Sequence, residues 1–296
     1  MISVIIPHLN QADALEACLR SLDAQTLSRD LFEIIVVDNG STVPPIDVIA
    51  DHSGVRLEHE ALPGPGPARN TGAACARGDI LAFVDADCRA HPDWLTAIRE
   101  AFQQARAATI LGGEVRIRPA AEGRFTAIEA YESVFGFRNR LYVTKHGYSV
   151  TANLAVRRAD FARIGPFPGI QFAEDMQWGQ MAIRAGCEFR YIAGMIVFHP
   201  ARRSLRELYA KWDRQIAHYY RNTAQAARGW QLRWFATALL VLVSPAVGAI
   251  TVLTSGRLHG ISARLKAIAV LCAVRSHRTT RMLALLRREG TVVWNR

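Results

Sequence analysis

The sequence predicts an α/β fold with a doubly wound, mostly parallel sheet and a helical tail at the C-terminal end. Two short β-branched runs, 2–6 and 32–37, flank a segment whose apolar residues recur at helical spacing, which is the pattern of a βαβ unit. A further apolar run, 80–84, is typical of a strand that is buried on both faces of a parallel sheet. Repeated βα units of this kind predict a parallel sheet with helices on both sides.

The first helix is expected at 12–24, where Leu15, Leu19 and Leu22 fall on one face. Pro92 suits the first turn of a helix at 92–105, because its missing N–H is not needed there. The other predicted elements are strands at 55–57 and 109–117, a helix at 68–76, a helix and a mobile loop within 120–150, a strand at 151–157, a helix at 173–185, a strand pair at 189–198 and an amphipathic helix at 203–221.

Charge is distributed unevenly along the chain of 296 residues. Residues 201–296 contain 17 lysines and arginines and three acids, a net charge of +14, whereas residues 1–200 carry a net charge of −4. A basic, apolar tail on an acidic body favours attachment to an anionic membrane surface. Nucleic acid is not an expected partner, because a soluble DNA-binding protein would not tolerate a long apolar stretch among its basic residues.

The tail contains 21 consecutive residues without a charge, 234–254, which is long enough at helical rise to cross a hydrocarbon core. Basic residues flank both ends, so a single crossing would place one basic flank on the wrong side. Pro245 and Gly248 predict a break near the midpoint, which would let the segment form a shallow hairpin. We therefore expect an interfacial or re-entrant membrane anchor, with a true span and a buried helix pair of a soluble protein as alternatives.

The cysteines and the N-terminus indicate the compartment. The five cysteines are scattered and form no Cys-x-x-Cys pair, which indicates a reducing environment. The first strand begins at once, without a basic region and a long apolar core, so no signal peptide is expected. With the basic tail, these observations predict a location at the cytoplasmic face of the inner or plasma membrane.

Two aspartates, Asp85 and Asp87, directly follow the buried run 80–84. Ligands of open α/β sheets collect at the carboxyl ends of the strands. Carboxylates at that edge suit Mg²⁺ or Mn²⁺ together with the phosphate oxygens of a nucleoside diphosphate. The alternative from the residues alone is that both aspartates only cap the helix that begins near Pro92.

Three further segments lie at the same predicted edge of the sheet. They are Pro7 at the end of the first strand, residues 36–42 (VVDNGST) after the second, and residues 66–72 (GPARNTG) leading into the third helix. In this order, and followed by Asp85 and Asp87, the motifs resemble the family 2 nucleotide-sugar glycosyltransferases of the GT-A fold. The resemblance covers about residues 1–200 and implies a GT-A type sheet.

The resemblance also implies roles for these residues. Asp38 would accept a hydrogen bond from the nucleobase, while Pro7 and Arg69 would line the base and ribose pocket. Asp85 would contact the ribose or the metal, and Asp87 would bind a divalent cation, Mn²⁺ or Mg²⁺, that bridges the two phosphates. From the residues alone, Asp38 is a turn residue before Asn-Gly and Arg69 is a surface residue of a helix.

A second acidic motif, Glu174 and Asp175, opens the helix predicted at 173–185, where acidic side chains are common as caps. By resemblance Asp175 is the general base that deprotonates the acceptor hydroxyl, and Glu174 holds the acceptor or the loop geometry. His199 resembles a position where some members of the family add an imidazole ligand to the metal. A lone histidine is otherwise more often a structural residue.

These expectations describe an inverting glycosyltransferase that moves a sugar from a nucleotide-sugar donor to a saccharide or lipid-linked acceptor in cell-surface glycan synthesis. Processive relatives carry Gln-x-x-Arg-Trp after the acidic helix, whereas residues 231–234 (QLRW) are one residue short, so we expect a non-processive enzyme. The transferase domain is placed at 1–202 and the basic tail at 203–296. The rival interpretation is a membrane-anchored binding or scaffold protein with an inactive transferase fold; a dinucleotide-dependent oxidoreductase would need a glycine motif that is missing after the first strand.

Overall fold

The computed structural model describes residues 1–105, 108–121, 123–169, 174–224 and 229–287. The chain divides into two compact units. The first unit comprises residues 1–116 and 138–199, and the second comprises residues 117–137 together with the chain from residue 200 onward.

Eight strands form one sheet within the described residues, in the order β3-β2-β1-β4-β7-β6-β8-β5. The strands are β1 Ile2–His8, β2 Phe32–Asp38, β3 Val55–His59, β4 Ile80–Phe83, β5 Arg89–Ala90, β6 Thr109–Arg118, β7 Leu154–Arg157 and β8 Glu188–Pro200. Strand β1 pairs in parallel with β2 and β4, and β2 pairs in parallel with β3. The pairs β4–β7, β6–β7 and β5–β8 are antiparallel. The predicted α/β fold is confirmed, and the parallel strands are those of the predicted N-terminal βα units.

The helices, in chain order, are α1 Ala12–Asp23, α2 Ile46–Ala50, α3 Pro65–Cys75, α4 Trp94–Gln104, α5 Ala127–Phe135, α6 Asn139–Leu141, α7 Arg158–Ile164, α8 Glu174–Arg184, α9 Leu205–Ala224, α10 Trp230–Val243, α11 Pro245–Thr254 and α12 Ile261–Arg287. Helix α1 buries Leu15, Leu19 and Leu22, as its spacing predicts. Strands β1 and β2 are buried along almost their whole length, so their carboxyl ends are held rigidly in the core.

Three predicted elements differ in detail. The strand pair expected at 189–198 is one long strand, β8. The strand expected at 151–157 begins with a 3₁₀ turn, Thr151–Asn153, before β7. The loop within 120–150 contains a π-helical turn, Tyr142–His146, which ends at Gly147 in the left-handed conformation, with φ at 65°. A π turn of this kind follows from packing, and no residue pattern announces it.

The second unit is helical. Helix α5 begins with a capping box, in which Thr126 and Glu129 satisfy each other's backbone N–H groups. Its buried residues Ala130 and Val134 pack with Val252 and Ala267 of the C-terminal helices. Residues 117–137 therefore belong with the tail, whereas the sequence analysis placed them in the transferase domain; the reason is this apolar contact over a long separation in the chain.

Helices α10 and α11 contain the uncharged stretch and meet at the predicted break. Ser244 ends one helix, Pro245 begins the next, and the two axes differ by 43°. The result is a bend and not the shallow hairpin of the sequence analysis. In the described part of the chain, no single helix has both the length and the apolar character needed to cross a membrane; the bent pair has them only when its two helices are counted together.

Candidate active site

A pocket of about 370 Å³ opens at the carboxyl edge of the parallel strands. Three segments line it: the end of β1 and the residues after it (Pro7, His8, Leu9 and Gln11), the start of α3 (Pro63, Gly64 and Pro65), and residues 85–87 after β4. Asn39, after β2, and Arg69 of α3 complete the lining. Pro7, Arg69, Asp85 and Asp87 are thus brought to one cavity, at the edge where an open α/β sheet binds its ligands.

Arg69 is buried in the wall of this pocket, with 3% of its surface exposed. Its Nη2 donates to Asp85 Oδ1 at 2.6 Å, and its Nη1 donates to Glu174 Oε1 at 2.5 Å. Burial alone would lower the pKa of Arg69, but the charges of Asp85, Glu174 and Asp175 raise it above its ordinary value. The guanidinium therefore ties the loop after β4 to the start of α8, and it is a buried ion-pair residue and not a surface residue of a helix.

Asp87 lies next to His199, with Oδ2 and Nε2 3.5 Å apart. Cys88 joins them, because possible ligand atoms of these three residues all lie within 4.8 Å of one another. Burial raises the pKa of Asp87, and the neighbouring charge of Asp85 adds to the effect while His199 opposes it. A partly buried carboxylate beside an imidazole fits a divalent cation, whose charge would favour the ionised carboxylate.

Asp85 is not part of that group. Its Oδ1 is already bound to Arg69, so its carboxylate points toward the guanidinium as well as the pocket. The sequence analysis assigned Asp85 to the donor and the metal together, and the structure brings it into the pocket without bringing it into the cluster of Asp87, Cys88 and His199.

Asp175 lies in the first turn of α8 and accepts a hydrogen bond from the backbone N–H of Thr151 at 3.2 Å. Burial raises the pKa of Asp175, although Arg69 and the Thr151 contact act in the opposite direction. Burial likewise raises the pKa of Glu174, despite its ion pair with Arg69. Two carboxylates with raised pKa values next to a donor-sized pocket are suited to accept protons. Phe172 and Ala173, which precede them, lie outside the described residues.

Asp38 ends β2 and is almost fully buried. Its Oδ1 accepts from Ser41 Oγ at 2.5 Å and lies 3.1 Å from His8 Nδ1, and its Oδ2 accepts from the Ser41 backbone N–H at 3.2 Å. Burial would raise the pKa of Asp38, but these hydrogen bonds outweigh burial and lower it. Asp38 is therefore ionised and lies directly behind His8 and Asn39 of the pocket lining. Its predicted contact with a nucleobase stays a prediction.

Comparison with known proteins decides the family. The family model described as "Glycosyl transferase family 2" matches residues 3–165, which include β1, the Asp38 turn, α3 and the Asp85 loop. The chain belongs to glycosyl transferase family 2. The predicted resemblance is thereby confirmed, although the matched region ends before α8.

Two curated relatives match a larger share of the chain than the family model does. A glycosyltransferase named AglE from Haloferax volcanii is 32% identical over 208 residues, which is 68% of this chain and 67% of the relative. The pre-mycofactocin glycosyltransferase of Mycobacterium tuberculosis is 28% identical over 221 residues, or 71% of this chain, but the match spans only 45% of that protein. The family 2 transferase described here is similar to both along most of its own length.

Two solved structures share the fold. The mannosyltransferase PcManGT from Pyrobaculum calidifontis, solved with GDP-Man and Mn²⁺, superposes with a TM-score of 0.62 at 18% identity, covering 96% of this chain and 86% of that chain. Residues 1–349 of S. aureus TarS, solved with UDP-GlcNAc, give a TM-score of 0.53 at 17% identity, covering 93% and 90%. At these identities the likeness shows the GT-A fold.

The transferase contains site residues that sequence reasoning missed. Neither Cys88, which lies beside Asp87 and His199, nor His8, which lines the pocket, was among the predicted site residues. Strand pairing could have indicated Cys88: β5 and β8 run antiparallel with Arg89 opposite Phe198 and Ala90 opposite Val197, so the same register places position 88 opposite 199. That register is set by tertiary structure, and no local pattern encodes it.

The aromatic pair Tyr142 and Tyr148 was missed as well. The two rings stack with centroids 5.0 Å apart and planes at 11°. Their segment contacts α8, because a Cβ built on Gly179 would lie 2.4 Å from Tyr148 Cβ. Burial raises the pKa of Tyr148, with contributions from Tyr142 and Asp175. The pair is thus packed against the helix that carries Asp175.

Proposed function

We propose that this family 2 member is an inverting, non-processive glycosyltransferase that moves a sugar from a nucleotide-sugar donor to a hydroxyl of a saccharide or lipid-linked acceptor. One observation carries the proposal: Arg69 is bound to Asp85 at 2.6 Å and to Glu174 at 2.5 Å. This contact joins the loop that would hold the donor diphosphate to the helix that would supply the base. Under this proposal, the groups for both halves of a transfer reaction lie at one edge of the sheet.

The donor would lie in the pocket lined by residues 7–9, 11, 63–65 and 85–87. Asp87 and His199 would hold a divalent cation, Mn²⁺ or Mg²⁺, whose charge stabilises the departing diphosphate. Asp85 and Arg69 would hold the donor side of the site in place, and Asp38 would fix the position of the nucleobase through His8 and Asn39. The two structural neighbours were solved with GDP-Man and with UDP-GlcNAc, so the fold itself accommodates different nucleotides.

Asp175 would accept the proton of the acceptor hydroxyl as that oxygen attacks the anomeric carbon. The attack comes from the face opposite the diphosphate, so one displacement inverts the anomeric centre and needs no covalent enzyme intermediate. A base of this kind contributes a factor of about 10²–10⁴ to the rate. Glu174, fixed by Arg69, would hold the start of α8 so that Asp175 faces the acceptor.

Non-processive transfer is supported by the place of Trp234. In processive relatives a Gln-x-x-Arg-Trp motif follows the acidic helix, but here the shortened string QLRW lies at the start of α10, in the second unit. Trp234 is fully buried there, and its indole N–H donates to the Met282 carbonyl at 2.8 Å. Its role in helix packing argues against a role in holding a growing polymer.

The acceptor is proposed to be a cell-surface saccharide or its lipid-linked precursor, at the cytoplasmic face of the inner or plasma membrane. The support is the composition of the tail, together with the names of relatives such as a poly(ribitol-phosphate) β-glucosyltransferase that is 36% identical over 92 residues. The second candidate function is a membrane-anchored scaffold that has kept the fold without turnover. The raised pKa values of Glu174 and Asp175 favour the enzyme, since a scaffold has no need of buried acids beside the pocket.

The experiment is a thermal-unfolding assay with UDP-, GDP- and dTDP-sugars, each with and without Mn²⁺. A donor near 100 times its dissociation constant adds roughly 2.7 kcal/mol to the free energy of unfolding. We expect one nucleotide class to protect the protein only with the metal, and Asp87→Ala to abolish the protection. Asp47→Ala, at an exposed acid of α2, is the matched control and should leave protection unchanged.

The assay separates the two candidate functions when it is followed by turnover. Protection together with release of the nucleoside diphosphate in the presence of an acceptor supports the transferase. Protection without any release, across donors and with acceptor glycolipids added, would favour the scaffold. Folded protein that no nucleotide protects would contradict both the donor pocket and the assignment of Asp87.

A further inference from the structure

Large apolar side chains are exposed in one region far more than elsewhere. Among the described residues, eleven of the exposed large apolar side chains fall between residues 232 and 265, whereas nine are spread over the first 220 residues. The most exposed in that region include Leu232 at 74% and Val247 at 69%. Soluble proteins rarely expose contiguous apolar patches of this size without a binding partner.

Nine of these side chains lie on the bent pair α10–α11, and the other two, Ile261 and Leu265, lie on α12. We call Leu232, Leu240, Val243, Val247 and Ile250 the apolar face; each has more than half of its surface exposed. The face continues across the bend at Ser244, since Val243 and Val247 lie on either side of it. Within the described residues of the second unit, no side chain covers it.

The opposite side of the pair is packed against α12. Trp234 is fully buried and bonded to Met282, and the Thr279 hydroxyl donates to the Ala238 carbonyl at 3.3 Å. Gly248 contacts Leu271 so closely that a Cβ on this glycine would lie 2.6 Å from Leu271 Cδ2. The two sides of the helix pair are therefore not equivalent, because one side packs against α12 and the other is exposed to solvent.

The charge around the apolar face is positive. Residues 201–296 carry a net charge of +14, and arginines stand at both ends of the helix pair, Arg233 in the first turn of α10 and Arg257 after α11. Lys266 and Arg281, exposed on α12, add to this charge. Apolar residues bordered by cations match a lipid surface. The apolar residues contact the acyl chains, and the cations bind the anionic headgroups.

The packing of α12 also shows whether α10–α11 would insert into one leaflet or cross the whole bilayer. Helix α12 lies along α10 and α11, and it carries Arg264, Lys266, Arg275, Arg278 and Arg281. If α10–α11 crossed a bilayer in this packed form, those charges would enter the hydrocarbon core with it, where charged side chains are strongly disfavoured. An interfacial position avoids this, because the apolar face enters the acyl region while α12 stays at the headgroups.

We propose that the apolar face of α10–α11 inserts into one leaflet of an anionic bilayer as a monotopic docking surface, with the flanking basic residues on the lipid headgroups. This inference goes beyond the proposed chemistry and does not depend on it. The same surface would hold the enzyme next to any acceptor that carries a lipid anchor.

The test is flotation of the full chain with lipid vesicles in a density gradient. The probes are phosphatidylcholine vesicles and vesicles of phosphatidylcholine with phosphatidylglycerol, each at low and at high salt. We expect the chain to float with the anionic vesicles and high salt to weaken this binding. Leu240→Glu with Val247→Glu should lower the bound fraction by about tenfold or more, because two carboxylates then face the acyl chains and the anionic surface.

The matched control is Val43→Glu with Ile46→Glu, which changes two equally exposed apolar side chains in the first unit and should float like the unmodified chain. Circular dichroism checks that each variant is folded, and Leu240→Ser with Val247→Ser provides a milder pair. Donor protection in the thermal assay should be the same for all variants, which separates this inference from the catalytic one. An unmodified chain that stays at the bottom of the gradient with anionic vesicles overturns the proposal. The proposal is also overturned if the folded glutamate variant floats as well as the unmodified chain. A dimer in size-exclusion chromatography that buries the apolar face and does not bind vesicles would overturn it as well.

Discussion

The Arg69 guanidinium and the Glu174 carboxylate are in direct contact, with Nη1 2.5 Å from Oε1. Arg69 also holds Asp85, so a single buried cation neutralises two acids and lies close enough to Asp175 to lower its pKa. The loop after β4 and the first turn of α8 are distant in sequence, and this cation fixes them to each other. Several consequences for activity can be measured.

Replacing Arg69 with methionine should reduce both activity and stability. Removing one partner of a buried ion pair leaves charges without compensation and costs about 3 kcal/mol or more in the free energy of unfolding. We expect kcat/KM to fall by about 100-fold, since the acid motifs lose their common anchor. Chemical denaturation and initial rates measure the two effects. Arg77→Met, at an exposed arginine, is the control; an Arg69→Met enzyme that keeps full activity would contradict a bridging role.

Replacing Asp175 with asparagine should remove the base and keep the donor site. We expect the transfer rate to fall by about 10²–10⁴-fold, the usual contribution of a positioned base. Metal-dependent protection by the nucleotide should persist, because Asp175 does not line the donor pocket. Glu174→Gln serves as the comparison, and it should reduce the rate less. If both variants folded normally and Glu174→Gln lost more of the transfer rate than Asp175→Asn, Glu174 would be the base and Asp175 the positioning residue.

The rate should also depend on pH in a defined direction. Burial raises the pKa of Asp175 above the ordinary aspartate value of about 3.9. The ionised form accepts the proton, so kcat should rise as the pH increases through this raised pKa and should be lost below it. In Arg69→Met the pKa should rise further, because Arg69 lowers it in the native protein, and the acidic limb should move to higher pH. A limb that does not move between the two proteins would show that a different group controls the rate.

The sequence predicted the parts of the site that depend on local pattern. Asp85 and Asp87 could be placed because a short apolar run of this kind favours a buried strand, and ligands gather where such strands end. Leu15 and Leu19 were assigned to the core by helical spacing alone. These features require no knowledge of how distant segments pair.

The contacts that the sequence did not predict depend on how distant segments pair in the folded protein. The contact of Arg69 with Glu174, the antiparallel register that sets position 88 opposite His199, and the packing of α5 on the C-terminal helices all join segments that are far apart in the chain. Nothing in the spacing of residues near Arg69 distinguishes a buried cation from a surface one. Such contacts are fixed by the completed fold, so sequence pattern could indicate the participants without showing the arrangement.

Gly179 should be intolerant of a side chain. A Cβ at this position would lie 2.4 Å from Tyr148 Cβ and 2.8 Å from the Gly147 carbonyl oxygen, so α8 would have to move away from the segment that donates the Thr151 N–H to Asp175. We expect Gly179→Ala to lower the free energy of unfolding by about 1–3 kcal/mol and to reduce kcat. Gly194→Ala is the control, because its nearest neighbour would lie at 3.8 Å. Normal stability in Gly179→Ala would mean that α8 adapts without strain.

His52 should stabilise the first unit in a pH-dependent manner. Its Nδ1 lies 2.5 Å from Asp23 and its Nε2 lies 3.0 Å from Glu16, and both ring nitrogens can donate only when the ring is protonated. Burial lowers the pKa of His52, but the hydrogen bonds and charges of Glu16 and Asp23 outweigh burial and raise it above 6.5. A group whose pKa is raised on folding contributes its full stability below the unfolded pKa and loses it as the pH rises through the folded value.

The comparison is therefore between native protein and His52→Gln in urea denaturation at mildly acidic and at alkaline pH. Below its raised pKa the His52 ring is protonated in the native protein, so the difference in the free energy of unfolding should be larger at mildly acidic pH. As the pH rises through the raised pKa, the native protein loses the charge of His52, so at alkaline pH the difference should shrink toward that of a neutral hydrogen bond, about 1 kcal/mol. His259→Gln, at an exposed histidine of the second unit, should show no such trend. An equal difference at both pH values would mean that the ring binds Glu16 and Asp23, both on α1, in its neutral form.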